Sequence, residues 1–294
     1  MEKLYFIVNP VSGGGRGKAA FLEAEQILLR RGVPYEAVYS EYPGHAVELA
    51  RAAAQRGEGC IIAVGGDGTV NEVASAIHDT GVKMGVLPFG TGNDLARAAN
   101  FPMDIEQAVE TLIKGHTRPM DAGMANDRFF LNVAGFGFDA DVLANTTRFK
   151  GKFHGMIPYL LGVVSTLSHL RHMHLTFTHD GKTENRGSVL VSVGNGQFIG
   201  GGMHALPKAD LYDGLFDVIV IRDLSVLQLI RLLPVFIKGR HLDYPVVEYF
   251  RTAELTVSTT DPTILNLDGE LGDTTPVTFR ILPGAIPVIV PEEE

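Results

Sequence analysis

Cys60-Ile61-Ile62-Ala63-Val64-Gly65-Gly66-Asp67-Gly68-Thr69-Val70-Asn71-Glu72 is the stretch that decides the fold class. Five apolar residues, rich in β-branched side chains, read as a buried strand. The glycines that follow mark a tight turn. Thr69 and Glu72 stand three apart before an apolar pattern, a capping-box spacing that predicts a helix opening at Thr69, its free N–H groups facing the turn. Three glycines and a carboxylate exceed what a bare strand-turn-helix needs, and they suggest backbone packed against phosphate, with Asp67 near a metal ion. Spacing alone also admits Asp67 as a turn or cap residue.

The same grammar runs outward on both sides. Upstream come a strand at Leu4–Val8, a helix from about Lys18 to Arg31, a strand at Tyr35–Tyr39 and a helix from about Ala46 to Arg56. Downstream, Met84–Leu87 leads into a helix near Asp94. This alternation predicts a doubly wound, largely parallel α/β sheet, with ligands at the carboxyl ends of its strands. Past about residue 122 the pattern changes to short β runs with hairpin signals at Asp180-Gly181 and Asp268-Gly269, predicting a β-rich, mostly antiparallel second domain. Two helical patterns interrupt it, at Pro158–His169 and Ser225–Lys238, the latter expected to kink or break at Pro234. The expected division is 1–122 with about 284–294 as one domain and 123–283 as the other; whether Ile286–Val290 returns to the first is open from sequence.

Composition narrows the class. A chain of 294 residues suits two lobes. The formal charge of −9, without clustered Lys and Arg, argues against a nucleic-acid partner. The single cysteine, Cys60, lies in an apolar run and fits a reducing, cytoplasmic compartment. Leu4–Val8 is too short and too abruptly ended by Asn9-Pro10 for a signal peptide. The longest apolar stretch, Met156 to Leu167, falls short of the ~20 residues that span a bilayer, so membrane contact is expected to be peripheral.

Two more glycine-rich turns follow predicted strands. Asn9-Pro10-Val11-Ser12-Gly13-Gly14-Gly15-Arg16-Gly17-Lys18 offers backbone N–H groups, a helix start and two cations to an anion. It is not a P-loop, since Ser12 stands where the first glycine belongs and Ala19 replaces Ser or Thr. Gly15 to Ala20 does fit the looser GxGxxA pattern, with Glu36 or Glu41 downstream, which keeps an NAD-dependent dehydrogenase in play. The third turn, Pro88-Phe89-Gly90-Thr91-Gly92-Asn93-Asp94, brings a second carboxylate to the same sheet edge. Mg²⁺ at a phosphoryl-transfer site is commonly held by one or two carboxylates. Asn93 or Asp94 as a plain N-cap is the alternative.

Gly65-Gly66-Asp67-Gly68-Thr69, Gly90-Thr91-Gly92-Asn93-Asp94 and Leu267-Asp268-Gly269-Glu270, in that order, resemble the signature set of the diacylglycerol kinase catalytic family, especially its soluble bacterial lipid kinases. The likeness runs over essentially the whole chain. It implies an ATP- and Mg²⁺-dependent kinase acting on a lipid hydroxyl, diacylglycerol first among them. It also implies ATP contacts from Asn9, Ser12, Gly13, Ser40, Gly65, Gly66, Asp67, Gly68, Thr69, Asn71 and Thr91, with Ser40 where the family often has Thr. An acidic network of Asp67, Asp94 and Asp121 would surround the nucleotide's Mg²⁺. A second, structural Mg²⁺ would sit on Asp213 with main-chain oxygens of Asp210 and Leu215, although spacing alone reads Asp213-Gly214 as a turn. Asp268 or Glu270 would be the catalytic base; sequence does not choose between them.

GGDGT alone is shared with NAD kinases, which remain the nearest rival, and a catalytically silent lipid-binding pseudokinase is the non-enzymatic alternative. For the membrane, Arg148-Phe149-Lys150-Gly151-Lys152-Phe153-His154 mixes cations with aromatics before an apolar helix and is the expected contact. An exposed strand edge in the β-rich half would allow a homodimer.

Overall fold

The computed structural model describes residues 2–150 and 157–292. Strands β1 (Leu4–Val8), β2 (Tyr35–Tyr39), β3 (Cys60–Gly65) and β4 (Lys83–Pro88) pair in parallel in the order β2-β1-β3-β4. Helices Gly17–Arg31 and Ile105–Lys114 pack on one face against Phe6, Val8, Ile62 and Val64. Helices His45–Gln55 and Asp67–Ile77 cover the other, against Tyr5, Ile7, Ile61 and Ala63. Burial on both faces is why these strands are unbroken apolar runs.

The capping box expected at Thr69 does not form. The helix opens two residues earlier, at Asp67, and Thr69 Oγ1 instead accepts a hydrogen bond from Asn9 Nδ2 at 3.0 Å. Glu72 reaches across to the neighbouring helix, accepting from the N–H groups of Gly44 (3.0 Å) and Ala46 (3.1 Å). It caps His45–Gln55, whose own N-cap is a glycine without a side chain to do so.

The remaining strands are β5 (Thr117–Ala125), β6 (Arg128–Phe130), β7 (Val133–Gly137), β8 (Met173–His179), β9 (Lys182–Gly194), β10 (Phe216–Arg222), β11 (Val247–Thr252), β12 (Glu254–Thr259), β13 (Ile264–Leu267), β14 (Glu270–Thr274) and β15 (Val277–Ile289). They pair with one another antiparallel throughout. In β8, buried Met173, Leu175 and Phe177 alternate with exposed His174, Thr176 and Thr178, the pattern of a sheet covered on one side.

β15 joins the two halves. Its first residues pair with β12; after a bulge between Leu282 and Ile286 it continues along β5, and Val288 pairs in parallel with Met84 of β4. The run Ile286–Val290 therefore does return to the parallel sheet. Helix Val226–Ile237 opens with a Ser225–Gln228 capping box and continues through Pro234, so of the kink or break expected there the break does not occur. Its inner face, with Leu229, Leu232 and Phe236, packs over β9 and β10 together with Phe138 and Val142 of helix Phe138–Lys150.

Candidate active site

The three glycine turns sit at the carboxyl ends of β1, β3 and β4 and touch one another. A methyl group on Gly66 would lie 2.8 Å from the Cα of Gly90, and one on Gly13 2.5 Å from the carbonyl oxygen of Phe89. Asn9 ties the first turn to the second through Thr69, and its N–H donates to the Val64 carbonyl at 2.9 Å. Ser40 lies buried just beyond the end of β2, its N–H bonded to the Val8 carbonyl at 2.9 Å. Asn9, Ser12, Gly13, Ser40 and Gly65 to Thr69 thus gather along one edge, with Thr91 in the turn after β4.

Asp67 and Asp94 flank Gly92, where a methyl group would fall 2.8 Å from Asp67 Oδ2 and 3.5 Å from Asp94 Oδ2. Asp94 is held by N–H groups from the other half of the molecule, Gly201 (2.9 Å) and Gly202 (2.7 Å), while Asp67 Oδ1 accepts from Leu95 N–H at 3.3 Å. Burial raises the Asp94 carboxyl above the ordinary carboxylate range, and the negative charge of Asp67 adds to the rise.

From these two carboxylates a cavity of about 630 Å³ runs into the β-rich half. Asn71 and Thr91 line its polar end, and the Asn71 Oδ1 atom is buried without a partner. Leu229, Leu232 and Phe236 from one helix and Phe138, Val142 and Val163 from two others make its apolar wall. Between the ends stands Asp268. It occupies the tip of the β13–β14 hairpin with φ of 49°, followed by Gly269 at 89°, the left-handed pair that a two-residue hairpin turn requires. Its Oδ2 accepts from Leu131 N–H (2.6 Å) and its Oδ1 from Asn132 (3.0 Å) and Val133 (2.8 Å). Burial nonetheless pushes its carboxyl up to about 6. Glu270 is off the cavity: its side chain is two-thirds exposed and lies 3.7 Å from the Arg128 guanidinium.

Residues 3–125 match the family of the diacylglycerol kinase catalytic domain, and residues 132–290 that of the YegS C-terminal NAD kinase beta sandwich-like domain. A diacylglycerol kinase of Bacillus subtilis is 31% identical over 297 residues, covering 100% of this chain and 98% of the relative. The chain belongs to the diacylglycerol kinase family. One from Staphylococcus carnosus is 30% identical over 99% of this chain and 96% of its own. Among solved structures, a Bacillus anthracis protein described as a diacylglycerol kinase superposes with a TM-score of 0.83 at 25% identity, covering 99% of this chain and 95% of that one. The protein is accordingly a lipid kinase of this family, a phosphotransferase with an alcohol group as acceptor.

Not every residue named from the family signature falls on the cavity of this kinase. Asp121 is 2% exposed and does not join Asp67 and Asp94 there. Its two oxygens accept from Gly284 and Gly214 N–H, each at 2.7 Å, and its carbonyl accepts from Asn195 Nδ2 at 2.8 Å. Gly284 lies in the β15 bulge, so Asp121 clamps the junction of the two halves. Asp213 bonds Leu215 N–H at 3.0 Å and pairs with the Arg251 guanidinium, while Asp210 bonds Tyr212 N–H at 3.1 Å. Among the described residues no group of three or more His, Cys, Asp or Glu side chains forms a metal cluster. Of the segment expected at the membrane, residues 151–154 lie outside the described residues.

One cavity residue was not foreseen. Asp139, in the first turn of helix Phe138–Lys150, lines the cavity, shares its Oδ2 with Asn266 Nδ2 at 3.2 Å, and has an Oδ1 that is buried without a partner. Burial pushes its carboxyl up to about 6. Phe136-Gly137-Phe138-Asp139 carries a signal only in hindsight, since an aspartate opening a helix ordinarily reads as a first-turn residue.

Proposed function

We propose that the protein transfers the γ-phosphate of ATP, with Mg²⁺, to the hydroxyl of a lipid, with diacylglycerol as acceptor and phosphatidic acid as product. The observation that carries this reading is one cavity with two facing carboxylates at one end and an aliphatic wall at the other. A nucleotide triphosphate suits the first end and acyl chains suit the second. On this reading 1–122, with the return from about 284, holds the nucleotide and 123–283 the lipid.

The donor set fits a nucleotide triphosphate and a divalent cation. Asp67 and Asp94 are hard oxygen ligands whose mutual repulsion a divalent cation would relieve. The abutting glycines leave backbone at the carboxyl ends of the strands free of side-chain bulk, and Asn71 Oδ1 lacks a partner. Held by Asp67 and Asp94, Mg²⁺ would supply positive charge to offset the negative charge of the phosphate oxygens. Asn9, Ser12, Gly13, Ser40, Gly65, Gly66, Gly68, Thr69, Asn71 and Thr91 are assigned to the nucleotide, and Asp67 and Asp94 to the metal. Asp121 acts on the site indirectly, through the junction.

Asp268 is assigned as the base. Its three N–H bonds leave one lone-pair direction on Oδ2, and a pKa near 6 suits proton abstraction at neutral pH. Asp268 takes the hydroxyl proton as that oxygen attacks the terminal phosphorus; the new O–P bond forms as the bond to the leaving ADP oxygen breaks. Asp139, with an oxygen lacking a donor beside the apolar wall, is assigned to orient the acceptor's head. The test is a radiolabelled-ATP assay on diacylglycerol and other lipid alcohols with the protein and its Asp67→Asn variant. Label should enter the lipid only with the unaltered protein. Near-normal turnover by the variant removes Asp67 from the mechanism.

A further inference from the structure

Helix Val226–Ile237 is apolar on both sides, yet only one is covered. Its inner residues Leu229, Leu232 and Phe236 are buried. On the outer side Leu227 is 66% exposed and Ile230 46%, with Val226 and Ile237 also exposed. Their spacing puts them along one stripe of the helix. Scattered aliphatics on a surface are ordinary, but four on one twelve-residue helix form a patch that asks for a partner.

The charges around the patch say which partner. From Leu224 to Leu242 there is no Asp or Glu, while Arg231, Lys238 and Arg240 supply three cations, in a chain whose formal charge is −9. All three are exposed, and none makes an ion pair among the described residues. An aliphatic stripe edged by unpaired cations is the pattern of a helix lying in the interface of an anionic bilayer. Twelve residues make about 18 Å of helix, too short to cross the hydrocarbon core. The helix also bounds the site: Ile237 both lines the cavity and is exposed, and Val163 lines it next to Val164, 63% exposed on helix Ile157–Ser168. Seating the stripe on a bilayer brings the apolar end of the cavity to the lipid.

We propose that the outer face of Val226–Ile237, with Arg231, Lys238 and Arg240, docks the enzyme on anionic membrane surfaces. This rests on the lipid-kinase reading for its purpose, but not for its measurement. The full chain is sedimented with phosphatidylcholine vesicles, with and without phosphatidylglycerol, beside the Leu227→Glu/Ile230→Glu and Arg231→Gln/Lys238→Gln/Arg240→Gln variants. Binding should require phosphatidylglycerol. The aliphatic variant should bind at least about tenfold more weakly, and the cation variant roughly a hundredfold, from about a fivefold share per cation near the surface. Phosphorylation of a water-dispersed short-chain diacylglycerol should be unchanged in both, since none of these residues lines the cavity. Undiminished vesicle binding by the two variants overturns the docking assignment. So does a dimer in solution that the aliphatic variant splits while vesicle binding persists, because the stripe then covers a second copy. Failure of the unaltered protein to phosphorylate the short-chain lipid counts against the kinase reading alone, with vesicle binding still reporting on the helix.

Discussion

Replacing Gly66 by alanine tests whether two glycine turns form one cradle. The backbone at Gly66, φ −94° and ψ −172°, is open to any residue, so an effect cannot come from conformational strain. It must come from contact. The new Cβ would sit 2.8 Å from the Gly90 Cα, and in the reciprocal Gly90→Ala it would sit 2.3 Å from the Gly66 Cα. Carbon atoms rest about 3.5–4.0 Å apart, so the turns must part by roughly 1 Å in either variant. Both sides of the contact are main chain, which cannot swing aside as a side chain can. Overpacking of this kind costs about 1–3 kcal/mol. At roughly 2–4 °C per kcal/mol for a chain of this size, a melting scan should resolve each single variant. Because one separation serves both methyl groups, the double variant should lose clearly less than the sum of the singles. Nucleotide KM should rise in all three, with lipid KM little changed. A Gly66→Ala protein with unaltered melting and nucleotide KM, or full additivity in the double variant, refutes the shared cradle.

Glu72→Ala should destabilise the fold by about 1–3 kcal/mol, measured by urea unfolding, because the N–H groups of Gly44 and Ala46 lose their acceptor. Asp268→Asn should abolish turnover while Glu270→Gln leaves most of it; steady-state assays giving the reverse order would move the base to Glu270. Since burial lifts Asp139 and Asp268 from the ordinary 3.8 to about 6, kcat/KM should fall as pH drops below about 6. Their contribution to stability runs the opposite way: the folded state holds these protons more tightly, so stability from them grows as pH falls from 6 towards 4, visible in urea midpoints across that range. Asp139→Asn should raise lipid KM about tenfold and leave nucleotide KM unchanged, the split expected of a group that touches only the acceptor.

What the sequence revealed follows from the range of the interactions involved. Leu4–Val8 and Tyr35–Tyr39 could be read residue for residue because the signal, a short apolar or β-branched run between turn residues, is local. The glycine turns were equally legible. Glu72 was misread because its spacing to Thr69 satisfied a local rule, whereas its actual partners lie 26 and 28 residues away. Asp121 bonds N–H groups 93 and 163 residues along the chain, so its place at the junction was beyond any pattern of neighbours. Local grounds predict a kink or a break at Pro234, yet the helix is continuous through it, with Leu232 and Phe236 packed on either side. Asp139 has no local signature at all. It matters only because its helix opens onto a cavity that residues more than fifty positions away complete.

The way the two halves share the cavity explains why the glycine turns are easier to find in the sequence than its apolar end. The parallel half supplies Asp67, Asp94 and the glycine turns, each fixed by the strand-turn-helix that carries it. The β-rich half supplies the Gly201 and Gly202 N–H groups that hold Asp94, the hairpin that sets Asp268 against Leu131 to Val133, and the aliphatic wall. Asp94 is therefore positioned by both halves at once, and Asp121 fastens the β15 bulge that joins them. A change at the Asp121 clamp should disturb Asp94 without touching a substrate. The candidate site is a property of the junction: the glycine turns of one half meet the hairpin and the aliphatic wall of the other only there.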